Sequence, residues 1–196
     1  MEFQKLLERR TIRKFSQKPV EKADIAAMIE AARCASCASN RQRLRYIAVL
    51  SPEKVAAILP HTFYAGLVKP RRTPVPGQTS PTAFLAVTAT EAPSPHLYAD
   101  AGAAIQSIEF AAWERGIGCC WLGSFLPEKV VPILDFPDPG RIVYLVALGY
   151  LVALGYPAES PVAEDIPADG DAKYYLDGND TLHVPKFTVD ALTRWV

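Results

Sequence analysis

No apolar run in these 196 residues reaches the roughly 20 that a membrane span requires, and no charged amino-terminal stretch leads into an apolar core with a cleavage site. Both absences point to a cytoplasmic protein with no membrane partner. Charge of one sign is not in excess either: 21 Lys and Arg face 21 Asp and Glu. That balance gives no global pull toward nucleic acid, so any basic patch has to be local. Gly-x-Gly-x-x-Gly after a strand, Gly-x-Ser-x-Gly, His-Glu-x-x-His and a glycosidase-like carboxylate pair are all missing. The protein thus offers no catalytic nucleophile or acid–base pair of its own, and demanding chemistry would fall to a cofactor.

Histidine is scarce, and His61, His96 and His183 stand too far apart for a metal or hydrolase spacing. Four cysteines form a Cys-x-x-Cys pair (Cys34, Cys37) and an adjacent pair (Cys119, Cys120). Adjacent cysteines suit zinc poorly, and free cysteine often behaves as a small buried hydrophobe, so no metal is assigned. A thiol-based redox or metal-binding protein using these four stays open as an alternative.

What is present is an ordinary globular composition, 49% hydrophobic and 21% charged, suited to one domain over 1–196. Helical spacing marks Phe3, Leu6 and Leu7, then Ile25, Met28, Ile29 and Ala32. Tyr46–Leu50 reads as a buried strand, and Ser51-Pro52-Glu53 as the capped start of a helix to Leu59. Residues 66–81, with four prolines, read as a long loop. A central strand follows over Thr82–Thr90, then a long helix with Tyr98, Ala101, Ile105, Ile108 and Ala112 on one face. Ile117–Leu122 is a strand, Pro127–Leu134 a short helix, and Arg141 opens a last apolar strand. Helices and strands without regular βαβ alternation give an α+β fold. The tail 172–196 is too apolar for a free end and is expected to dock on its own subunit or a neighbour.

Two segments carry chemistry. Arg9-Arg10-Thr11-Ile12-Arg13 closes the first helix with three guanidinium forks and a hydroxyl, a composition suited to phosphate. Ser36-Cys37-Ala38-Ser39-Asn40-Arg41-Gln42 crowds small polar side chains and carboxamides ahead of a strand.

Arg-Arg-Thr-Ile-Arg-x-Phe followed by Ser-x-Asn-x-Gln resembles the FMN-dependent nitroreductase family. Asp100 to Gln106, Gly116 to Ser124, Ala153-Leu154-Gly155-Tyr156-Pro157 and His183-Val184-Pro185-Lys186 resemble it in the same order, so the likeness covers nearly the whole chain. It implies a mostly antiparallel central sheet flanked by helices in an intertwined homodimer with two FMN sites at its interface. Arg9, Arg10, Thr11 and Arg13 would hold the FMN phosphate and ribityl chain, joined by Lys186 from the tail. Cys37, Ala38 and Asn40 would line the flavin edge with Gln42 in support, and the backbone of Leu122, Gly123 and Ser124 would lie against the reactive flavin nitrogen. Departures occur at Ser36-Cys37 and Arg43-Leu44, where the family commonly has Pro-Ser and Pro-Trp. Lys69, Arg71 and Arg72 fall on its variable substrate-side loops and are candidates for an acidic substrate or a nicotinamide phosphate. The implied activity passes electrons from NAD(P)H to a small electron-poor acceptor such as a nitroaromatic or quinone, by a ping-pong cycle. A relative that oxidises a substrate or fragments flavin, or a flavin- or anion-binding module without turnover, is the alternative.

One oddity remains: Leu145-Val146-Ala147-Leu148-Gly149-Tyr150 is repeated at once as Leu151 to Tyr156. One strand over Arg141–Tyr156 would span about 50 Å at ~3.3 Å per residue, far beyond the usual strand. One copy is therefore expected to pair in the sheet, while the other bulges, runs past the edge or is a duplication in the recorded sequence.

Overall fold

The computed structural model describes residues 3–137, 141–150 and 160–193. Ala83–Ala89 is apolar except at Thr88 and buried at every position; it forms β2, inside a four-stranded antiparallel sheet. Its neighbours are β1 (Leu44–Val49) on one side and β4 (Ile142–Tyr150) on the other, with β3 (Ile117–Leu122) beyond β4. The period of two sorts their side chains onto two faces. Leu85, Val87, Val146 and Leu148 pack against α2 (Lys22–Arg33) and α4 (Pro95–Trp113), while Phe84, Ala86, Leu145 and Ala147 pack against α3 (Pro52–Ile58) and α5 (Pro127–Ile133). Helices therefore cover both faces of an antiparallel sheet, an α+β arrangement as the sequence implies.

Local chemistry sets the helix starts. The Ser51 hydroxyl accepts from Lys54 N at 3.3 Å and the Ser94 hydroxyl from Leu97 N at 3.2 Å, each with proline at the first helical position. Tyr98, expected on the buried face of α4, is exposed instead and meets the Tyr144 ring edge-on. The first helix, α1 (Phe3–Glu8), also departs from its amphipathic reading: none of its residues is buried, and Phe3 is 75% exposed.

A second, three-stranded sheet was not expected after Arg141. Its β5 (Val162–Ile166), β7 (Leu182–Phe187) and β6 (Tyr175–Leu176) are half-exposed, and a four-residue α6 (Val189–Leu192) follows. Glu164 and Asp165 are poor strand formers and Pro185 cannot donate to a ladder, so neither propensity nor alternation signals these strands. Cross-strand polar contacts hold them: His183 bridges Glu164 and Asp177, and Tyr175 stacks on the His183 ring at 4.9 Å.

The first copy of the tandem hexapeptide pairs in the sheet, with Leu145 through Leu148 fully buried between β2 and β3. The second copy, Leu151–Tyr156, lies outside the described residues. Gly149 serves a close approach here: a Cβ at that position would sit 2.8 Å from Phe15 Cβ. Gly149→Ala should accordingly destabilise by about 1–3 kcal/mol, the usual cost of overpacking. Thermal unfolding checks this; an unchanged midpoint would mean that Phe15 yields freely.

Candidate functional site

Two buried anchors shape the basic arm. Past α1 the chain is extended; Ile12 N donates to Cys119 O on β3 at 2.9 Å, and Phe15 N donates to Thr79 O at 3.1 Å. With Ile12 and Phe15 turned into the core, Arg9, Arg10, Thr11 and Arg13 are left to line a cavity of about 440 Å³. Lys186 on β7 reaches the same cavity, as do Leu182, Val184, Tyr174 and Pro161. Residues far apart in sequence thus converge, and the convergence is cationic.

Its electrostatics are those of a site prepared for an anion. Burial and then the adjacent Arg9 charge lower the pKa of Arg10. Arg10 Nη1 donates to the Leu7 and Arg9 carbonyls at 2.6 and 2.8 Å, but its buried Nε has no hydrogen-bond partner among the described residues. Arg9 Nη1, likewise buried without a hydrogen bond, stands 3.6 Å from Glu109 Oε2. Glu109 is only 4% exposed, and burial raises its carboxyl against the opposing pull of Arg9. Arg13 lies over the Tyr174 ring, 5.7 Å from its centroid. Unfilled donors and mutually repelling cations are what a phosphate would satisfy, and the donor set fits one.

The segment around Cys37 lies on a different pocket of the same chain. Cys37 and Gln42 line a recess of about 220 Å³ between α2 and β1, together with Arg43 and Asp100. Ala38 and Asn40 belong to the same turn, in which Ser39, Asn40 and Gln42 have φ of 53°, 50° and 47°. Each such left-handed residue costs roughly 1–2 kcal/mol, so the turn persists only because its surroundings impose it. Gln42 N donates to Cys37 Sγ at 3.5 Å, Ala38 N donates to Asp100 Oδ1 at 2.9 Å, and Arg43 Nη2 donates to Asp100 Oδ2 at 2.8 Å. Arg43, the departure flagged in the sequence, is therefore buried beside a carboxylate on α4.

Leu122 ends β3, and Gly123 and Ser124 turn the chain out of it. Leu122 is in the core and the other two are exposed; Phe63 N donates to Ser124 O and Leu126 N to His61 O, both at 3.0 Å, fixing the turn from two sides. Of the three loop cations, Lys69 is exposed with Nζ 5.5 Å from the Phe63 centroid. Arg71 Nη2 meets Asp180 Oδ1 at 2.7 Å, and Arg72, only 2% exposed, donates to both Asp180 carboxylate oxygens and to its carbonyl. Arg71 and Arg72 thus hold the tail, and Lys69 is left as the cation facing outward. A larger, mostly apolar recess of about 620 Å³ lies between α3 and this loop, lined by Val55, Leu59, Phe63 and Pro74.

Cys119 and Cys120 are buried on opposite faces of β3, and burial pushes the Cys119 thiol far up. Among the described residues no cluster of three or more His, Cys, Asp or Glu side chains could hold a metal ion. Nor is any described helix long and apolar enough to cross a membrane.

Sequence reasoning met Asp100 only within a family-like segment and gave no role to it, to Glu109 or to Asp180. The first two were detectable, since Asp100 and Glu109 each precede or follow apolar residues of α4 by four positions (Ala104, Ile105), and a carboxylate on an apolar stripe needs a partner.

Against known proteins, residues 6–150 match the Nitroreductase family model. A Bacillus subtilis (strain 168) protein, YfhC, whose name carries the provisional description NAD(P)H nitroreductase, is 33% identical over 162 residues, covering 72% of this chain and 80% of that protein. Among solved structures, a nitroreductase family protein from Clostridium novyi NT superposes with TM-score 0.63 at 24% identity, covering 76% of this chain and 85% of the other. An FMN-dependent nitroreductase from Clostridium difficile R20291 gives TM-score 0.61 at 20% identity, with 79% and 90% coverage.

Proposed function

The chain belongs to the nitroreductase family, and from that membership we propose that it is an FMN-dependent oxidoreductase, one domain over 1–196, drawing electrons from NAD(P)H. The observation that carries this reading is the cavity joining Arg9, Arg10, Thr11 and Arg13 to Lys186. Four cations and a hydroxyl there suit the dianionic phosphate of FMN better than a neutral ligand. When bound, the flavin would supply the redox chemistry, taking a hydride equivalent from a reduced nicotinamide and, in a second half-reaction, reducing a nitroaromatic, quinone or similar acceptor.

The chain's own residues bind and orient. Arg9 and Arg13 would hold the phosphate, with Glu109 keeping Arg9 in place from below. Cys37, Ala38, Asn40 and Gln42 would edge the ring, and the backbone of the fixed Leu122–Ser124 turn would supply preorganised donors where charge develops. Because the Cys37 recess and the basic cavity are separate in one chain, a homodimer sharing its sites across the interface fits the reading. The exposed apolar side chains of Phe3, Leu6, Leu7, Val189 and Leu192 support that interface. Sedimentation should show a dimer at working concentrations; a flavin-loaded monomer would contradict it.

The deciding experiment is the visible spectrum of the purified protein, with chromatography of the flavin released on denaturation. A yellow protein releasing FMN and oxidising NAD(P)H with a nitroaromatic acceptor is expected. Bound FMN without turnover would select the binding-module alternative, and a colourless protein that ignores added FMN would remove the central reading.

A further inference from the structure

We infer that Asp100 is a positioning residue for the flavin-side turn, holding it in its left-handed shape through Ala38 and Arg43; this rests on the flavin reading above. Asp100 stands on α4, outside the turn, yet one of its oxygens accepts the Ala38 N–H at 2.9 Å and the other accepts from Arg43 at 2.8 Å. Those two contacts bracket Ser39, Asn40 and Gln42, the three positions with unfavourable φ. Both charged side chains are 6% exposed, so neither contact is a loose surface pairing.

The far side of Arg43 is fixed as well. Its Nη1 donates to Glu91 Oε1 at 3.0 Å, and Glu91 Oε2 also accepts from Arg41 at 3.2 Å. The Arg43 carbonyl accepts from Thr90 N at 2.9 Å, which ties the end of the turn to the end of β2. Asp100 therefore sits at the centre of a network whose members lie on α4, on the turn and beyond β2. Burial would raise its carboxyl, but the Ala38 and Arg43 hydrogen bonds and the charges of Arg43 and His96 outweigh that and keep it ionised. An ionised carboxylate accepts from both partners at once, whereas the neutral acid would have to give up one of these roles.

The turn carries its own reporter, the half-buried Cys37, whose Sγ accepts from Gln42 N. Cys34, exposed at the end of α2, serves as the reference thiol. The test compares wild type, Asp100→Ala and the double variant Arg43→Met/Asp100→Ala in three readouts: thermal midpoint, FMN affinity, and alkylation of Cys37 relative to Cys34 in the apoprotein, by peptide mass mapping. Asp100→Ala should lower the thermal midpoint, weaken FMN binding about 10-fold or more, and speed the alkylation of Cys37. The double variant removes the stranded charge, so its midpoint should recover, while FMN affinity and Cys37 protection should not. Recovery of all three in the double variant would show that the pair serves charge balance alone and would overturn the positioning role. So would an Asp100→Ala protein with wild-type FMN affinity and Cys37 protection. A wild-type protein that binds no FMN would overturn the flavin reading and this role with it.

Discussion

Replacing Arg9 or Arg13 with alanine is expected to weaken FMN binding about 10-fold to 150-fold each, the equivalent of the roughly 1.5–3 kcal/mol carried by a charge-assisted hydrogen bond. The two should not behave alike. Arg9 is held from below by Glu109, so Arg9→Ala also leaves that buried carboxylate without its cation, and Glu109 will take up a proton more readily. Part of the loss in Arg9→Ala should therefore show as reduced stability. Arg13 lines the cavity with the Tyr174 ring beside it, so its loss should fall on affinity. Arg10 is the informative control, because its charge is already disfavoured by burial and by Arg9. Riboflavin, which lacks the phosphate, separates the effects: its weaker binding should be unchanged by Arg13→Ala. Unchanged FMN affinity in both variants would place the phosphate elsewhere.

How much of this was legible in the sequence depended on whether the signal was local. Strand β3 was readable to the residue, and α3 nearly so, because Ser51-Pro52-Glu53 writes a helix start in three adjacent residues. The arginine arm was readable as composition. What composition could not give is that Ile12 and Phe15 turn inward and leave the arginines on one cavity with Lys186, a long-range outcome of pairing with β3 and the 66–81 loop. The small sheet was missed for the opposite reason: its strands are held by His183, Tyr175 and Glu164 meeting across strands, and no single segment carries that information. The repeat illustrates register logic. A six-residue shift preserves the facing of every side chain, so the sequence left both copies eligible for β4, and the first occupies it.

Removing the carboxylate of Asp180 should release the tail. Asp180 takes φ of 64° in the turn between β6 and β7, and it gathers Arg72, Arg71 and Lys14 from elsewhere in the chain. Breaking a fully buried pair costs about 3–5 kcal/mol; Asp180 is 47% exposed, water can reach the vacated place, and about 2 kcal/mol is the better expectation for Asp180→Ala. In a chain of this size that is a fall of roughly 4–8 °C in thermal midpoint if unfolding is cooperative. The same interaction sets a pH window. Burial would raise the Asp180 carboxyl, but the Arg72 hydrogen bonds and the three cations win and hold it below its ordinary value. A depressed folded pKa means stabilisation that is present above the unfolded value of about 3.9 and lost as pH falls through the folded one. His183 on β7 acts in the other direction: burial lowers it, yet Asp177 and Glu164 more than compensate and raise it, so its contribution is full below about 6.5 and lost as pH rises through its folded value. Tail docking should therefore weaken at both ends, in acid through Asp180 and toward alkaline pH through His183. Since β7 also carries Lys186, FMN affinity should fall in step with it. Limited proteolysis across pH reads the effect directly: cleavage within 160–193 should increase at both extremes in wild type, and Asp180→Ala should be cleaved readily at neutral pH. Equal protection of that variant at neutral pH would show that the tail is held by its apolar contacts alone.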